Sequence, residues 1–189
     1  MALMWKKQAG ALTWGVWRMD EYPTASQRTQ ELAAVLDLLE ALCGSRQVVC
    51  HEASGRPFLA HGRWEISISH TKGYVAVALH AGGRKVGIDI EHYRPQVFRI
   101  RGKFLSDDEL VATEEADLTQ QLLYWCAKET VYKALDVPGA ELRQHIRVCP
   151  FERTGSEGVF RGYELKTGTR QEFPLRYFIH PEYVVVVSV

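Results

Sequence analysis

An α+β protein made of two similar helix-plus-antiparallel-sheet halves is what this sequence predicts, and three observations predict it. Two long stretches carry apolar residues at helical spacing. Several shorter runs alternate apolar and polar residues at strand spacing. A strand–turn–strand pattern also recurs, as ISHTKGYVAVAL at 68–79 and FIHPEYVVVVSV at 178–189, with a histidine just ahead of a tyrosine in each. The halves are expected at 1–87 and 88–189, with a ligand site at their junction, a common place for one.

The elements follow in order. AGALTWGVW near the N-terminus resembles a signal peptide only superficially, because the apolar run is short, carries two tryptophans and meets Arg18 and Asp20; it reads as a strand. From Thr24 to Gly44, Leu32, Val35, Leu36, Leu39, Leu42 and Cys43 share one helical face, with Thr24 and Gln27 as a capping box and Gly44 as the stop. WEISISH, YVAVALH and KVGIDIE, separated by TKG and AGGR, then read as a three-stranded antiparallel meander. Ser106 and Glu109 form an S-x-x-E box that starts another helix. From Gln120 to Leu135 the spacing is helical again, and LRYFIHPEYVVVVSV closes the chain as a hairpin.

Composition narrows the function classes. The chain has 189 residues, 46% of them hydrophobic, with 23 basic residues against 23 acidic ones, so a general nucleic-acid or membrane-surface binder is not indicated and any anion site must be local. Cys43, Cys50, Cys126 and Cys149 show no C-x-x-C pair and no zinc spacing. Reduced, mostly buried thiols and a cytoplasmic setting are expected. No run approaches the length of a membrane span. Walker A, G-x-G-x-x-G and G-x-S-x-G patterns are missing from the sequence, which argues against the commonest nucleotide-fold and hydrolase readings.

The residues that point to chemistry begin with VGIDIE at 86–91. On an extended chain Gly87, Asp89 and Glu91 share a face, with the Cβ atoms of Asp89 and Glu91 on the order of 6–7 Å apart. Two carboxylates so placed repel in a poorly hydrated site, and a cation would relieve them. In the second long helix Trp125, Glu129 and Lys133 lie on one stripe; a Glu-to-Lys pair on an exposed helix is the plainer account of them. With Asp89 and Glu91, however, Glu129 makes a third carboxylate, and three oxygen donors plus waters suit Mg²⁺ beside a phosphate. Arg28, Arg56, Ser69, His70 and Lys133 are separated polar residues able to build an anion site. Arg94, Arg99, Arg101 and Lys103 lie in a stretch without an acidic residue and are candidates for docking an acidic partner.

VGIDIE followed by WCAKETVYKAL at 125–135, with SGRP and ISISH ahead of them, resembles the signature of the 4′-phosphopantetheinyl transferases, and in particular the surfactin-synthetase-activating type, a pseudo-dimer of two similar halves. The likeness runs from about Arg28 to the C-terminus. It implies transfer of the phosphopantetheine arm of coenzyme A to a serine of an acyl or peptidyl carrier protein, as in the holo-carrier synthases, with adenosine 3′,5′-bisphosphate released. Carried over, Asp89, Glu91 and Glu129 hold Mg²⁺, and Lys133 contacts the phosphates. Arg56, Ser69 and His70 meet the nucleotide end, with Arg28 and Lys128 as further phosphate contacts. Glu129 is the first candidate for the base that takes the serine proton, and Glu109 the second. A monomer is expected, since internal duplication supplies within one chain what single-unit relatives build by association. Arg56 stands where the family often has Lys, and the chain is shorter than many surfactin-type members, which bears on carrier choice more than on chemistry.

Overall fold

The structure is a computed structural model that describes residues 2–19, 26–62 and 64–189. The chain separates into two compact units, Met1–Val86 and Gly87–Val189. Both mix helices with antiparallel sheet, as the α+β reading expects.

In the first unit, strands β1 (Leu3–Ala9), β2 (Leu12–Arg18), β5 (Trp64–Thr71) and β6 (Tyr74–Ala81) form one antiparallel sheet in the order β1-β2-β6-β5, and β3 (Val49–His51) pairs with β4 (Pro57–Leu59). Helix α1 (Gln27–Cys43) presents Ala34, Val35, Leu38 and Leu39 to Ile66, Val75, Val77 and Leu79 of the sheet. It sits close because Gly15 has no side chain: a Cβ there would lie 2.8 Å from Trp5 O and 3.3 Å from Leu38 Cδ1. The helix starts at Ser26, whose hydroxyl accepts from Thr29 N at 3.3 Å, two residues later than the expected cap; Thr24 lies outside the described residues. It ends at Gly44 in the left-handed conformation, φ 78°, which glycine adopts without a Cβ clash.

The second unit is a five-stranded antiparallel sheet in the order β7-β11-β10-β9-β8, made by β7 (Ile88–His92), β8 (Ile146–Val148), β9 (Glu157–Glu164), β10 (Glu172–Ile179) and β11 (Tyr183–Ser188). This corrects the expected meander. β7 does not pair with β6; it pairs with β11, Asp89 opposite Val186 and Glu91 opposite Val184. The Val-rich β11 is buried along its whole length, so the N–H and C=O groups on both its edges need partners, which β7 and β10 supply.

Helix α4 (Leu118–Leu135) crosses this sheet, burying Leu122, Leu123, Cys126, Ala127, Val131 and Ala134 in a core with Leu175, Tyr177, Val184 and Val186. Helices α2 (Gln96–Phe104), α3 (Asp107–Ala112) and α5 (Leu142–His145) complete the unit. The basic stretch read as a possible docking run is therefore largely helix α2, with Arg101 and Lys103 in its last turn, where cations complement the helix dipole. Ser106 and Glu109 form the expected capping box on α3. The closing hairpin is β10–β11, with His180 stacked on Tyr183 at 4.3 Å between ring centres.

The four cysteines are free thiols, and of them Cys126 alone is fully buried, fewer than composition suggested. Among the described residues no helix is long and apolar enough to cross a membrane.

Candidate active site

Strand β7 and helix α4 place the acidic residues. Alternation along the strand turns Gly87, Asp89 and Glu91 toward α4, and each meets it. A Cβ on Gly87 would stand 2.0 Å from Thr130 O, so the two backbones touch where only glycine fits. Asp89, 5% exposed, accepts at Oδ1 from Lys133 Nζ at 2.8 Å. Lys133 Nζ also donates to Ile88 O at 3.1 Å. Glu91 Oε1 accepts from Trp125 Nε1 at 2.9 Å and from Arg94 Nη2 at 2.6 Å. Trp125, Glu129 and Lys133 thus use the single helix stripe anticipated from their spacing, two of them gripping the strand's carboxylates.

Glu129 lies between these contacts along the helix, and its side chain makes no hydrogen bond or ion pair among the described residues. Burial, the charges of Asp89 and Glu91, and only partial relief from Lys133 push its carboxyl up to about 7. Glu91 is also raised, first by burial and then by Asp89, against the opposing pull of Arg94 and Trp125. Cys126 is held well above the usual thiol range by burial and by the neighbouring Asp89 and Glu91 carboxylates. The unit therefore concentrates negative charge in a poorly hydrated place.

The donor set is of the kind a hard divalent cation takes: three carboxylates, two of them raised by burial and then by their neighbours' charge. As the side chains stand, however, no group of three His, Cys, Asp or Glu residues is disposed to hold a metal among the described residues. Lys133 holds Asp89 Oδ1, and Arg94 and Trp125 both hold Glu91 Oε1. The chemistry of the set fits Mg²⁺, whereas the ready-made geometry is that of a carboxylate cluster only partly neutralised by the protein's own donors.

Beside this cluster, in the same unit, is a cavity of about 420 Å³ lined by Ile100, Phe104, Trp125, Glu129, Leu142 and Arg143, among others. Its wall is apolar where Phe104 packs edge-on against Trp125, ring centres 5.0 Å apart. Charge is supplied at its edges by Lys103, Glu141 and Arg143.

Two expected site residues turn out to be placed elsewhere. Lys128, expected at a phosphate, is wholly buried, and all three of its donors are used: Glu109 Oε2 at 2.6 Å, Leu142 O at 3.0 Å and Ile146 O at 2.7 Å. Burial lowers its ammonium to about 8 despite the support of Glu109. Glu109, expected as an alternative base, accepts at Oε2 from Ser106 N and at Oε1 from Val148 N, both at 2.8 Å. Neither group is open to a ligand. The helical stripe explains this, since Lys128 neighbours Glu129 in sequence and so points away from it.

The remaining expected residues lie in the first unit. Arg56 pairs with Glu65 at 3.0 Å on a side chain only 12% exposed. His70, at the end of β5, is exposed and has Nε2 3.6 Å from Glu31 Oε1. Ser69 is buried, and Arg28 is exposed on the first turn of α1. Sequence reasoning passed over Arg94 as a partner of Glu91, Cys126 as a neighbour of Asp89, and α2 as a wall of the cavity. Val97, Ile100 and Phe104, spaced i, i+3 and i+7, were a signal for that helix.

A family model described as the 4′-phosphopantetheinyl transferase superfamily matches residues 85–185, just over half of the chain and nearly all of the second unit. No curated protein matches the chain.

Proposed function

The chain belongs to the 4′-phosphopantetheinyl transferase superfamily, and from that membership we propose that it moves the phosphopantetheine arm of coenzyme A onto a serine of an acyl or peptidyl carrier protein. The supporting observation is the meeting of Asp89, Glu91, Glu129 and Lys133 along one strand–helix contact, with Glu129 opening on a cavity.

In this reading the serine hydroxyl attacks the phosphorus that bears the pantetheine arm. A new O–P bond forms, the pyrophosphate P–O bond breaks, and adenosine 3′,5′-bisphosphate leaves. Glu129 takes the hydroxyl proton, for which a carboxyl near neutrality is suited. Glu109 drops out as an alternative base because both its oxygens are committed. Lys133 leaves Asp89 or shares it, and bears on the phosphates. Asp89, Glu91 and Glu129 are the residues to hold Mg²⁺, which when bound supplies charge neutralisation on the pyrophosphate. Trp125 and Arg94 orient Glu91. Arg28, Arg56, Ser69 and His70 serve the nucleotide end, with His70 on the 3′-phosphate.

The finer type we assign is the surfactin-synthetase-activating, pseudo-dimeric one, acting as a monomer. What favours it is that each unit sets a long helix on an antiparallel sheet and contains a hairpin with a histidine ahead of a tyrosine. Arg99, Arg101 and Lys103, with Arg94 at the edge of the acidic cluster, form the basic surface assigned to the carrier.

Intact-protein mass spectrometry of a panel of apo carrier proteins, incubated with the chain, coenzyme A and Mg²⁺ and with a chelated control, tests the proposal. The expected result is a gain of one phosphopantetheine arm that is lost with chelator and lost in Asp89→Ala. Coenzyme A binding with no gain on any carrier overturns transfer in favour of a binding module; full modification by Asp89→Ala overturns the acidic site.

A further inference from the structure

The buried pair Lys128–Glu109 is used by neither binding nor chemistry in the reading above, yet five polar contacts converge on it. Glu109 takes Ser106 N at the start of α3 and Val148 N on β8; Lys128, on α4, takes Leu142 O and Ile146 O at the two ends of α5; and the two side chains meet at 2.6 Å. Three separate segments of the second unit are thereby fixed to one point.

One of those segments needs fixing. Helix α5 is four residues long, too short to hold itself, with no fully buried residue and no side-chain cap, and its apolar contact with the core is the half-buried Leu142. Polar tethers supply the rest of its hold. Beyond those from Lys128, Arg143 donates to Gly102 O and to Asp107 Oδ1, and Arg147 donates to Arg143 O at 2.7 Å. Leu142 and Arg143 of α5 line the same cavity as Glu129, the residue next to Lys128. A buried ion pair is a poor device for raw stability, because well-packed apolar residues often do as well or better. It is a good device for fixing geometry, because each bond has a short, directed optimum.

We propose that Lys128 and Glu109 are positioning residues: together they clamp α5 to α4 and so set the distance between the Leu142–Arg143 wall of the cavity and Glu129. This deepens the transferase reading and rests on it only for the catalytic consequence. The clamp stands on the contacts alone.

Two variants and two measurements test it. Lys128→Met removes the donor and strands a buried carboxylate; Lys128→Met/Glu109→Gln removes both charges while leaving a carbonyl to accept from Val148 N. Amide hydrogen exchange is followed over residues 140–150, and kcat and KM are measured for coenzyme A and carrier. Exchange over 142–148 is expected to quicken at least tenfold in both variants. The neutral pair is expected to melt closer to the parent than Lys128→Met does, yet to keep a kcat about a hundredfold lower, the scale of loss for a reacting group misplaced by about 1 Å. Should Lys128→Met fail to fold, the neutral pair carries both measurements. Unchanged exchange over 142–148, or a neutral pair with parental kcat, overturns the proposal. A parent chain that modifies no carrier overturns the transferase reading instead and leaves the exchange result to decide the clamp.

Discussion

Replacing Gly87 by alanine adds one methyl group at the place where strand β7 and helix α4 touch. The new Cβ would stand 2.0 Å from Thr130 O, 2.9 Å from Thr130 C and 3.2 Å from Ala134 N. A carbon–oxygen contact settles at about 3.3 Å or more, so the helix must withdraw from the strand by about 1.3 Å. The atoms in the way are backbone, and Thr130 is further tied to the sheet through its hydroxyl to Val186 O at 3.0 Å, so no side-chain rotation relieves the clash. Overpacking of this kind costs about 1–3 kcal/mol, and the rigidity of the neighbours puts Gly87→Ala near 3. Loss of glycine's freedom in the unfolded chain works in the other direction but contributes only about 0.4–1 kcal/mol, so destabilisation wins. At about 2–4 °C per kcal/mol for a chain of this size, the net change lowers Tm by roughly 4–10 °C. The same withdrawal carries Glu129 and Lys133 away from Asp89, for which a loss of about a hundredfold in kcat is expected. Differential scanning calorimetry and carrier modification followed by mass spectrometry measure the two effects. A variant with unchanged or raised Tm and parental turnover would refute the claim that this strand–helix distance is fixed and that the site depends on it.

Three further predictions concern single groups. Trp125→Phe keeps the edge-on contact with Phe104 but deletes the indole N–H that reaches Glu91 at 2.9 Å; loss of one hydrogen bond to a charged group lowers kcat/KM about tenfold or more, and turnover equal to the parent would count against Glu91 as a site residue. Glu164, wholly buried, is raised by burial but brought down to about 2 overall by hydrogen bonds from Thr167, Gln171 and Thr169. Since its folded value lies below the ordinary 4.5, its contribution is complete above about pH 4.5 and disappears as pH falls through about 2. Glu164→Gln should therefore lower stability by about 2 kcal/mol at pH 7 and by much less near pH 2, as read from urea unfolding at the two pH values. Finally, if Arg99, Arg101 and Lys103 dock an acidic carrier, raising salt from about 0.05 to 0.5 M weakens carrier binding well before it weakens coenzyme A binding, and equal salt slopes in calorimetric titrations would exclude that surface.

What the sequence made legible is what local periodicity controls. The period of two in VGIDIE put Gly87, Asp89 and Glu91 on one face, and the period of 3.6 in the second long helix put Trp125, Glu129 and Lys133 on one stripe; those two facts together account for the contacts of the acidic cluster. Partner choice across long separations was hidden. Nothing in KVGIDIE distinguishes pairing with β6 from pairing with β11, about 95 residues away, because both neighbours are apolar and alternating-compatible. The fate of Lys128 was hidden for the same reason. A lysine beside a candidate base looks like a phosphate ligand until α3, α5 and β8 close over it and supply an acid and two carbonyls. The S-x-x-E box at Ser106 was readable, but the second oxygen of Glu109 is claimed by Val148, 39 residues further on, and that is a tertiary fact.

The burial of Cys126 has a practical consequence. Its sulfur lies under α4 against Asp89 with no exposed surface, while Cys43, Cys50 and Cys149 are all partly accessible. A thiol reagent will therefore modify three cysteines on the timescale of ordinary surface chemistry and the fourth only when the helix lifts from the strand. Because the slow phase requires that lifting, its rate reports how often the carboxylate cluster opens, in the unlabelled native sequence and without any substrate. A ligand that tightens the strand–helix contact would lengthen it, which makes one buried sulfur a built-in clock for the site.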